Sequence, residues 1–581
     1  MWLINTSTLM LESFYGDAIP AYAILSHTWG ADEVSFQEFR TAKTSPEANI
    51  TAKAGYRKIE ATCGRAEKHG YGFVWVDTCC IDKSSSAELT EAINSMFHWY
   101  QQSQVCYVYL SDSQALDGLD FRAAPQEFSA VFGQCRWFGR GWCLQELLAP
   151  RNLLFIDWKW DDIGTKDELR GLISAITDIP TALLRKTPTA SIWDCPVADR
   201  ISWIGKRQTT RIEDMAYSLL GILGVNMPML YGEGTAAFIR LQGEVIRKYN
   251  DLSIFAWAGP PFLEGQLQQF LPVLAASPSS FVGCSLTNGG SEGSSVLGEG
   301  LNTQFSLTNR GVYFPNAQLR FQRAPPGHHP QYLLDLNYQV RRSPWRYLPL
   351  QKIGPSLFAR IHSSPERTAA FRKILRSAPF YEPVCILDKL PNQALRFWAN
   401  WAVRLRWKPW DKLGYRFWHI RAAEPRASWD MADNQFLLAL EPEPYLHIEF
   451  VPGNYSTNPN LEYFVVAVRI GNEMTANPAV VTARLLTGES LQGVNRTWLG
   501  FRGENSSAVH SIQGANDPHR ISISGYAITM SLELVRRNGM SHHLIYLDWT
   551  RETTSDVAAA VPDDLPLLGA RDISSQGGGD E

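Results

Sequence analysis

The chain has 581 residues, of which 45% are hydrophobic and 19% charged, a composition typical of a globular protein with hydrophobic cores. Its 54 Lys and Arg against 58 Asp and Glu give a net charge of −4, so we expect no nucleic-acid partner. The first residues lack the pattern of a secretory signal, and no run of about 18 apolar residues predicts a membrane span. The nine cysteines form no disulfide framework, so a reduced, cytoplasmic protein is expected.

Residues 21–157 alternate short apolar runs with helical patterns, which predicts an α/β fold with a parallel sheet. The predicted strands are, in chain order, 22–26, 73–77, 105–110 and 153–157. Between the first two strands, a helix is predicted around residues 56–66 and ends before Gly70. Ser85 and Glu88 predict a capping box at the start of the next helix. Another helix is predicted at about 140–149.

From residue 160 onward the pattern first becomes helical and then β-rich. Thr165 and Glu168 predict a second capping box, and apolar periodicity predicts helices around 216–223 and 238–249. The stretch 286–300 is rich in Gly and Ser, as in a loop. The predicted organisation is an α/β core at 1–160, an α-helical extension at 161–260, a linker at 261–300, a β-rich domain at 301–550 and a disordered tail at 551–581.

Polar residues follow the first three predicted strands where each strand ends. In open parallel sheets, ligands bind beyond the carboxyl ends of the strands, so these side chains are candidates for one binding crevice. They are Ser26, His27, Thr28, Trp29 and Gly30 after the first strand, Asp77, Thr78, Cys79, Cys80 and Asp82 after the second, and Ser111 and Asp112 after the third. The alternative is that they are ordinary loop and capping residues. Neither a GxGxxG nor a P-loop motif is present, and the adjacent Cys79 and Cys80 do not have zinc-ligand spacing, so no metal site is expected.

The segment 136–150 combines aromatic, basic and acidic residues at the start of a predicted helix. Arg136 and Arg140 could hold an anionic group such as a phosphate, and Trp137 and Trp142 could stack on a flat base. Glu146 could supply a carboxylate to the same ligand. The alternative is that both tryptophans belong to the core and that Glu146 is solvated or ion-paired.

Three blocks of this sequence resemble those of the fungal heterokaryon incompatibility (HET) domain: AYAILSHTWG at 21–30, VWVDTCCIDK at 74–83 and RGWCLQELLAP at 140–150. The segment 211–242 resembles the stretch that usually follows the domain in such proteins. The resemblance implies a role in fungal non-self recognition, with regulated cell death when incompatible cells fuse. It further implies a TIR-like, flavodoxin-like open parallel sheet, because the HET domain is remotely similar to TIR domains.

The block at 142–147, WCLQEL, is similar to the TIR block whose Glu is catalytic for NAD cleavage to nicotinamide and an ADP-ribose product. The resemblance therefore implies Glu146 as the catalytic residue, NAD as the substrate and no required cofactor. The residues at the strand ends and in the segment 136–150 are then the predicted substrate-binding residues: Ser26, His27, Trp29, Gly30, Asp77, Cys79, Asp82, Arg140 and Trp142. Homo-oligomerisation through the HET domain and contact with other incompatibility proteins are also expected. The alternative is a non-enzymatic signalling adaptor, since the segment after the second strand is shorter than the loop through which TIR domains commonly assemble.

Overall fold

A computed structural model describes residues 1–41, 50–259, 270–284, 304–322, 331–336, 347–361 and 379–388, and beyond residue 401 only strands. The chain divides into two compact units, Met1–Ala399 with Asp430–Asp433, and Asn400–Trp429 with Asn434–Glu581. The predicted Gly/Ser-rich loop at 286–300 and residues 552–581 of the predicted disordered tail lie outside the described residues.

The N-terminal region is built on a seven-stranded sheet. Its strands are β1 Trp2–Asn5, β2 Leu11–Ser13, β3 Ala23–His27, β4 Phe73–Trp75, β5 Val105–Tyr109, β6 Leu153–Ile156 and β7 Asp162–Thr165. The spatial order is β2-β1-β4-β3-β5-β6-β7. Strands β4, β3, β5 and β6 run parallel, whereas β1, β2 and β7 pair antiparallel at the two edges. The prediction of an α/β region is confirmed, but the sheet is mixed and not parallel throughout. The three antiparallel strands outside the parallel core have only three or four residues each, too short a pattern to be predicted from the sequence.

Helices cover both faces of the parallel strands. They are α1 Phe36–Thr41, α2 Ala54–Lys68, α3 Ser86–Gln102, α4 Pro125–Phe132 and α5 Cys143–Leu148. All five residues of β3 are buried, as expected for a central strand covered on both sides. In chain order the four parallel strands lie as 2-1-3-4, so the order reverses between β3 and β5. A crevice for a ligand is expected at this reversal, beyond the carboxyl ends of those strands.

The capping predictions are met in part. Ser85 accepts a hydrogen bond from the Glu88 amide at the start of α3, but the Glu88 carboxylate accepts from the Asp82 amide instead of that of Ser85. Thr165 and Glu168 do exchange both bonds, in the turn before the next helix. Gly70, at φ +83°, follows the C-terminal end of α2 as predicted.

A helical region follows the sheet. Its helices are α6 Arg170–Thr177, α7 Thr181–Leu184, α8 Val197–Ser202, α9 Asp214–Tyr217, α10 Leu220–Leu223 and α11 Ala236–Lys248. The helix predicted at 216–223 is thus two short helices, the second of which ends at Gly224 in the left-handed region. Short 3-10 helices lie at Gly16–Ala18, Ile50–Ala52, Gln114–Leu116, Arg136–Gly139, Ile192–Asp194, Leu252–Phe255 and Pro278–Phe281.

The remainder is β-rich, as predicted. In the first unit the strands are β8 Phe270–Leu271, β9 Ser306–Leu307, β10 Gly311–Gln322, β11 Gln331–Asp335, β12 Tyr347–Gly354, β13 Leu357–Ile361 and β14 Phe380–Leu387. Strands β10 to β14 close into a five-stranded barrel, because β10 pairs with both β11 and β14. Residues 270–284, within the stretch predicted as a linker, include β8, which pairs with β13, and the buried side chain of Phe281.

The strands beyond the barrel are β15 Ala402–Trp407, β16 Trp418–Glu424, β17 Trp429–Asp430, β18 Gln435–Leu437, β19 Tyr445–Pro452, β20 Phe464–Ile470, β21 Val481–Thr487, β22 His519–Ile523, β23 Tyr526–Arg537 and β24 Met540–Arg551. They form one sheet in the order β18-β15-β24-β23-β22 and another in the order β16-β19-β20-β21. None of the described helices has both the length and the apolar character needed to cross a bilayer.

Candidate functional site

The last two residues of β3 each meet a carboxylate. Consecutive side chains of a strand point to opposite faces of the sheet, so Ser26 and His27 diverge. Ser26 contacts Glu146 of α5 on one face, and His27 contacts Asp77, which follows β4, near α2. The strand thereby holds two acidic groups at the place where the strand order reverses.

The first group, the Glu146 group, consists of Glu146, Ser26 and Trp137. The hydroxyl of Ser26 donates to Glu146 Oε2 at 2.5 Å and accepts from the indole Nε1 of Trp137 at 2.7 Å. Ser26 and Trp137 are fully buried, and Glu146 is 7% exposed. The hydroxyl is oriented by the indole, and so the position of the carboxylate is fixed by side chains that cannot rotate freely in the core.

Burial raises the pKa of Glu146 to about 7. The hydrogen bond from Ser26 and the charge of Arg140 oppose this rise, whereas the negative charge of Asp77 adds to it. A carboxyl with such a pKa is partly ionised at neutral pH. It can therefore act either as a proton donor or as a negative charge facing a substrate.

Two buried cationic side chains bind backbone carbonyls in the segment that carries Glu146. The ammonium of Lys166 is buried and donates to the carbonyl oxygens of Leu147, at 3.1 Å, and of Pro150, which fixes the C-terminal end of α5. The guanidinium of Arg207 is also buried and donates to the Arg140 carbonyl at 3.0 Å. Burial lowers the pKa of Arg207 to about 10, and the charge of Glu146 is among the groups that oppose this.

The second group, the Asp77 group, is a chain of hydrogen bonds from Asp77 to Glu33. Asp77 Oδ1 lies 3.0 Å from His27 Nε2, and His27 Nδ1 lies 2.6 Å from the Lys58 ammonium, which is 2.5 Å from Glu33 Oε1. Because an ammonium group only donates, Nδ1 of His27 accepts and its Nε2–H donates to Asp77. Glu33 also accepts a hydrogen bond from the amide of Gly30 at 2.6 Å, so the backbone of Gly30 belongs to this chain of hydrogen bonds.

The pKa of Asp77 moves in the opposite direction from that of Glu146. Burial would raise it, but the hydrogen bond from His27, the charge of Lys83 and the Trp29 indole N–H, 2.8 Å from Oδ2, hold the pKa of this carboxyl well below its usual range. Asp77 is therefore a permanent negative charge at neutral pH.

Trp29 covers the Asp77 group on the solvent side. Its side chain is 41% exposed. The Lys83 ammonium lies 3.8 Å from the centroid of the Trp29 ring, and the guanidinium carbon of Arg140 lies 5.8 Å from it. An exposed indole between two cations has the composition of a surface that binds an anionic aromatic ligand or a protein partner.

A cavity of about 400 Å³ opens beside Trp29. Its lining residues come from the segments that follow β3 and β4; they are Trp29, Glu33, Val34, Ser35, Phe36, Gln37, Thr78, Ile81, Asp82, Lys83 and Ser84. Asp82 accepts hydrogen bonds from Ser84 and from Gln37, and these bonds, those from Ser84 first, lower its pKa. Glu146 does not line this cavity.

Two further residues implied by the sequence are buried or partly buried. Cys79 is fully buried, and burial raises the pKa of its thiol well above the usual value, so it is neither a contact surface nor a nucleophile at neutral pH. Trp142 is partly buried against the core and lies beside the Asp214 carboxyl. Among the described residues, no cluster of three or more His, Cys, Asp or Glu is arranged to hold a metal ion.

Sequence reasoning did not select Lys58, Glu33, Arg207 or Lys166. Lys58 lies on the second turn of α2 and reads as an ordinary helical lysine. Arg207 lies 61 residues beyond Glu146 in a segment without a motif. Tertiary packing brings Lys58 to His27 of β3 and brings Lys166 and Arg207 to the backbone around α5, and no local sequence pattern predicts these contacts.

Comparison with known proteins gives two matches. Residues 22–130 match the family model described as heterokaryon incompatibility protein (HET). The vegetative incompatibility protein HET-E-1 of Podospora anserina is 45% identical over 232 residues, which are 40% of this chain and 16% of that protein. No solved structure matches the chain. The match to the family model includes Ser26, His27 and Asp77 and ends before Glu146. Residues 22–130 of the α/β region, which include these three residues, therefore match a heterokaryon incompatibility domain.

Proposed function

We propose that this protein is a cytoplasmic effector of fungal vegetative incompatibility, which triggers regulated cell death by cleaving NAD to nicotinamide and ADP-ribose. The relative HET-E-1 is named a vegetative incompatibility protein, which supports the biological role. The chemistry rests on one observation: a buried Glu146 with a pKa near 7, held by Ser26 where the strand order reverses. A TIR-like ancestry of the sheet is part of the same proposal, supported by the 2-1-3-4 order of its parallel strands.

The reaction needs little from the protein besides a well-placed negative charge. The bond between the ribose C1′ and the nicotinamide nitrogen breaks, and its electron pair stays with nicotinamide, which leaves as a neutral molecule. The ribose is left with oxocarbenium character, as in glycoside hydrolysis, and a desolvated carboxylate stabilises that positive charge. Water then adds to C1′ and releases one proton. Glu146 in its ionised form would supply the carboxylate, so turnover should rise with pH through about 7.

Other residues of the site would bind the rest of the substrate. Arg140 and Lys83 flank the exposed Trp29 ring, and cations at that place suit the pyrophosphate of a dinucleotide. Asp77 and His27 would hold Trp29 in position through its indole N–H. No additional cofactor is required by this scheme.

The test is NAD consumption with nicotinamide release by the full-length protein, dilute and concentrated, compared with Glu146→Gln. We expect the substitution to reduce turnover about 100-fold or more, because it removes the carboxylate proposed to stabilise the developing cation. Glu91→Gln, at an exposed position of α3, is the matched control and should retain full activity. A Glu146→Gln variant as active as the control would exclude this assignment of the catalytic residue.

The exposure of Trp29 and the burial of Glu146 favour a second function, that of a non-enzymatic adaptor. Glu146 is 7% exposed and already hydrogen-bonded, whereas Trp29 is 41% exposed and is a suitable anchor for a protein interface. In that case the HET domain would act by self-association or by binding other incompatibility proteins. Toxicity in cells would then survive Glu146→Gln and be lost with Trp29→Ala, together with self-association in sedimentation experiments. Loss of toxicity in Glu146→Gln with unchanged self-association would contradict the adaptor.

A further inference from the structure

The cavity beside Trp29 contains a buried polar group without a partner. Thr78 is 3% exposed and lines the cavity, and its hydroxyl oxygen makes no hydrogen bond within the part of the chain that the structure describes. An unpaired buried hydroxyl costs roughly 1–3 kcal/mol. A ligand that bonds to this hydroxyl would recover part of that cost.

The charges around the cavity restrict what it can hold. Glu33 and Asp82 both line it, and the hydrogen bonds that Asp82 accepts keep its carboxyl ionised. An anionic group placed inside would face both carboxylates. The one lysine of the lining, Lys83, lies over the Trp29 ring at the edge. The interior therefore suits a neutral group that donates hydrogen bonds, and the edge suits an anion.

The remaining wall is apolar and aromatic. Val34, Phe36 and Ile81 supply it, and Phe36 is held by edge-to-face packing against Trp2. A volume of about 400 Å³ is within the range of small-molecule sites and is enough for a nucleoside. A flat ring fills such a space, and amino hydrogens on the ring would reach the carboxylates.

From these features we propose that the cavity binds the amino-substituted purine ring of an adenine nucleotide. Thr78 donates to a ring nitrogen, Asp82 accepts from the exocyclic amino group, and Lys83 meets the phosphate at the edge. The identity of the ring as part of the substrate rests on the proposed NAD cleavage. The cavity would then hold the adenosine half of NAD while the nicotinamide ribose reaches Glu146.

The test is calorimetric titration of the full-length protein with adenosine and with inosine, which differ in the group at purine C6. Adenosine should bind at least fivefold more tightly, since inosine replaces the amino donor by a carbonyl that faces the carboxylates. Thr78→Val should weaken adenosine binding about five- to tenfold, the loss of one hydrogen bond. Its stability should not fall, because the hydroxyl has no partner in the free protein.

Thr28→Val is the matched control. Thr28 is likewise buried with an unpaired hydroxyl, but it does not line the cavity. It should bind adenosine as the unmodified protein does. Absence of saturable adenosine binding, equal affinity for inosine, or equal weakening by both valine substitutions would overturn the proposal. Adenosine has no nicotinamide–ribose bond, so Glu146→Gln should bind it normally; binding without any NAD turnover would leave the cavity assignment standing while the proposed reaction fails.

Discussion

The two faces of β3 carry the same chemical group in opposite states. On one face Glu146 is surrounded by core side chains, and burial raises its pKa to about 7. On the other face Asp77 receives N–H groups from His27 and Trp29, which hold its pKa well below the usual range. The difference arises because the hydrogen bond from His27 and nearby positive charge outweigh burial at Asp77, whereas burial dominates at Glu146. Two carboxylates with pKa values pushed apart in this way can serve different roles in one site.

The largest expected effect concerns the pH dependence of stability. Glu146 has a pKa of about 7 in the folded protein against 4.5 ordinarily, so the folded state binds more protons between these values and stability falls as pH rises through them. The loss amounts to roughly 3 kcal/mol above pH 7. Glu146→Gln should abolish this component, so that its advantage over the unmodified protein grows from pH 4.5 to 8 in urea unfolding. Parallel stability curves for the two proteins would contradict the burial argument.

The free energy of unfolding should depend on how closely α2 packs against the segment that carries Glu33. A Cβ added at Gly55 would lie 2.8 Å from the backbone of Asp32 and Glu33, which must then move, and Glu33 carries the far end of the hydrogen-bond chain. Gly55→Ala should lower the free energy of unfolding by about 2 kcal/mol. Gly64→Ala, in the same helix with no atom within 4 Å of its Cβ, should be neutral or stabilising. Chemical denaturation of both variants measures the difference, and equal stabilities would show that the close contact is not strained.

The comparison also shows what the sequence can reveal. Strands β3 to β6 are predicted within two residues at each end, because buried parallel strands are continuous apolar runs. Strands β1, β2 and β7 are missed, because strands of only three or four residues give too short a pattern; β2 and β7 are also polar edge strands. The architecture of the central sheet is therefore readable from local pattern, whereas its edges are not.

In the candidate site, too, local sequence pattern predicts some features and misses others. Ser26, His27 and Asp77 are predictable, since the strand ends fix their place at one edge of the sheet. The contact of Ser26 with Trp137 joins residues 111 positions apart, and that of His27 with Lys58 depends on how α2 crosses the sheet. Such contacts are set by packing, which periodicity does not encode. The opposite pKa shifts of the two carboxylates depend on these contacts and could not be predicted either.

A smaller effect is expected at the hydroxyl that orients Glu146. Ser26→Ala removes the donor to Glu146 and leaves the Trp137 indole N–H without its acceptor, so stability should fall by about 1.5 kcal/mol. Because the Ser26 bond lowers the pKa of Glu146, its loss should raise that pKa further. Ser113→Ala is a matched control, since the buried Ser113 hydroxyl also donates once and accepts once but lies at a different strand end. It should cost similar stability without moving the titration; a shift in both variants would remove the specific role of Ser26.

The smallest expected effect is that of the Arg140 charge on the pKa of Glu146. Arg140 lowers the pKa of Glu146 without a direct hydrogen bond to it, so Arg140→Gln should raise that pKa by roughly half a unit, and less in high salt. Arg136, four residues earlier, is exposed and pairs with Asp112 at 3.5 Å, so Arg136→Gln should leave the titration unchanged. The pKa is obtained from the pH dependence of the stability difference between each variant and the same variant carrying Glu146→Gln. A shift from Arg136→Gln as large as that from Arg140→Gln would mean that net charge, and not the position of Arg140 beside Trp29, governs the buried carboxylate.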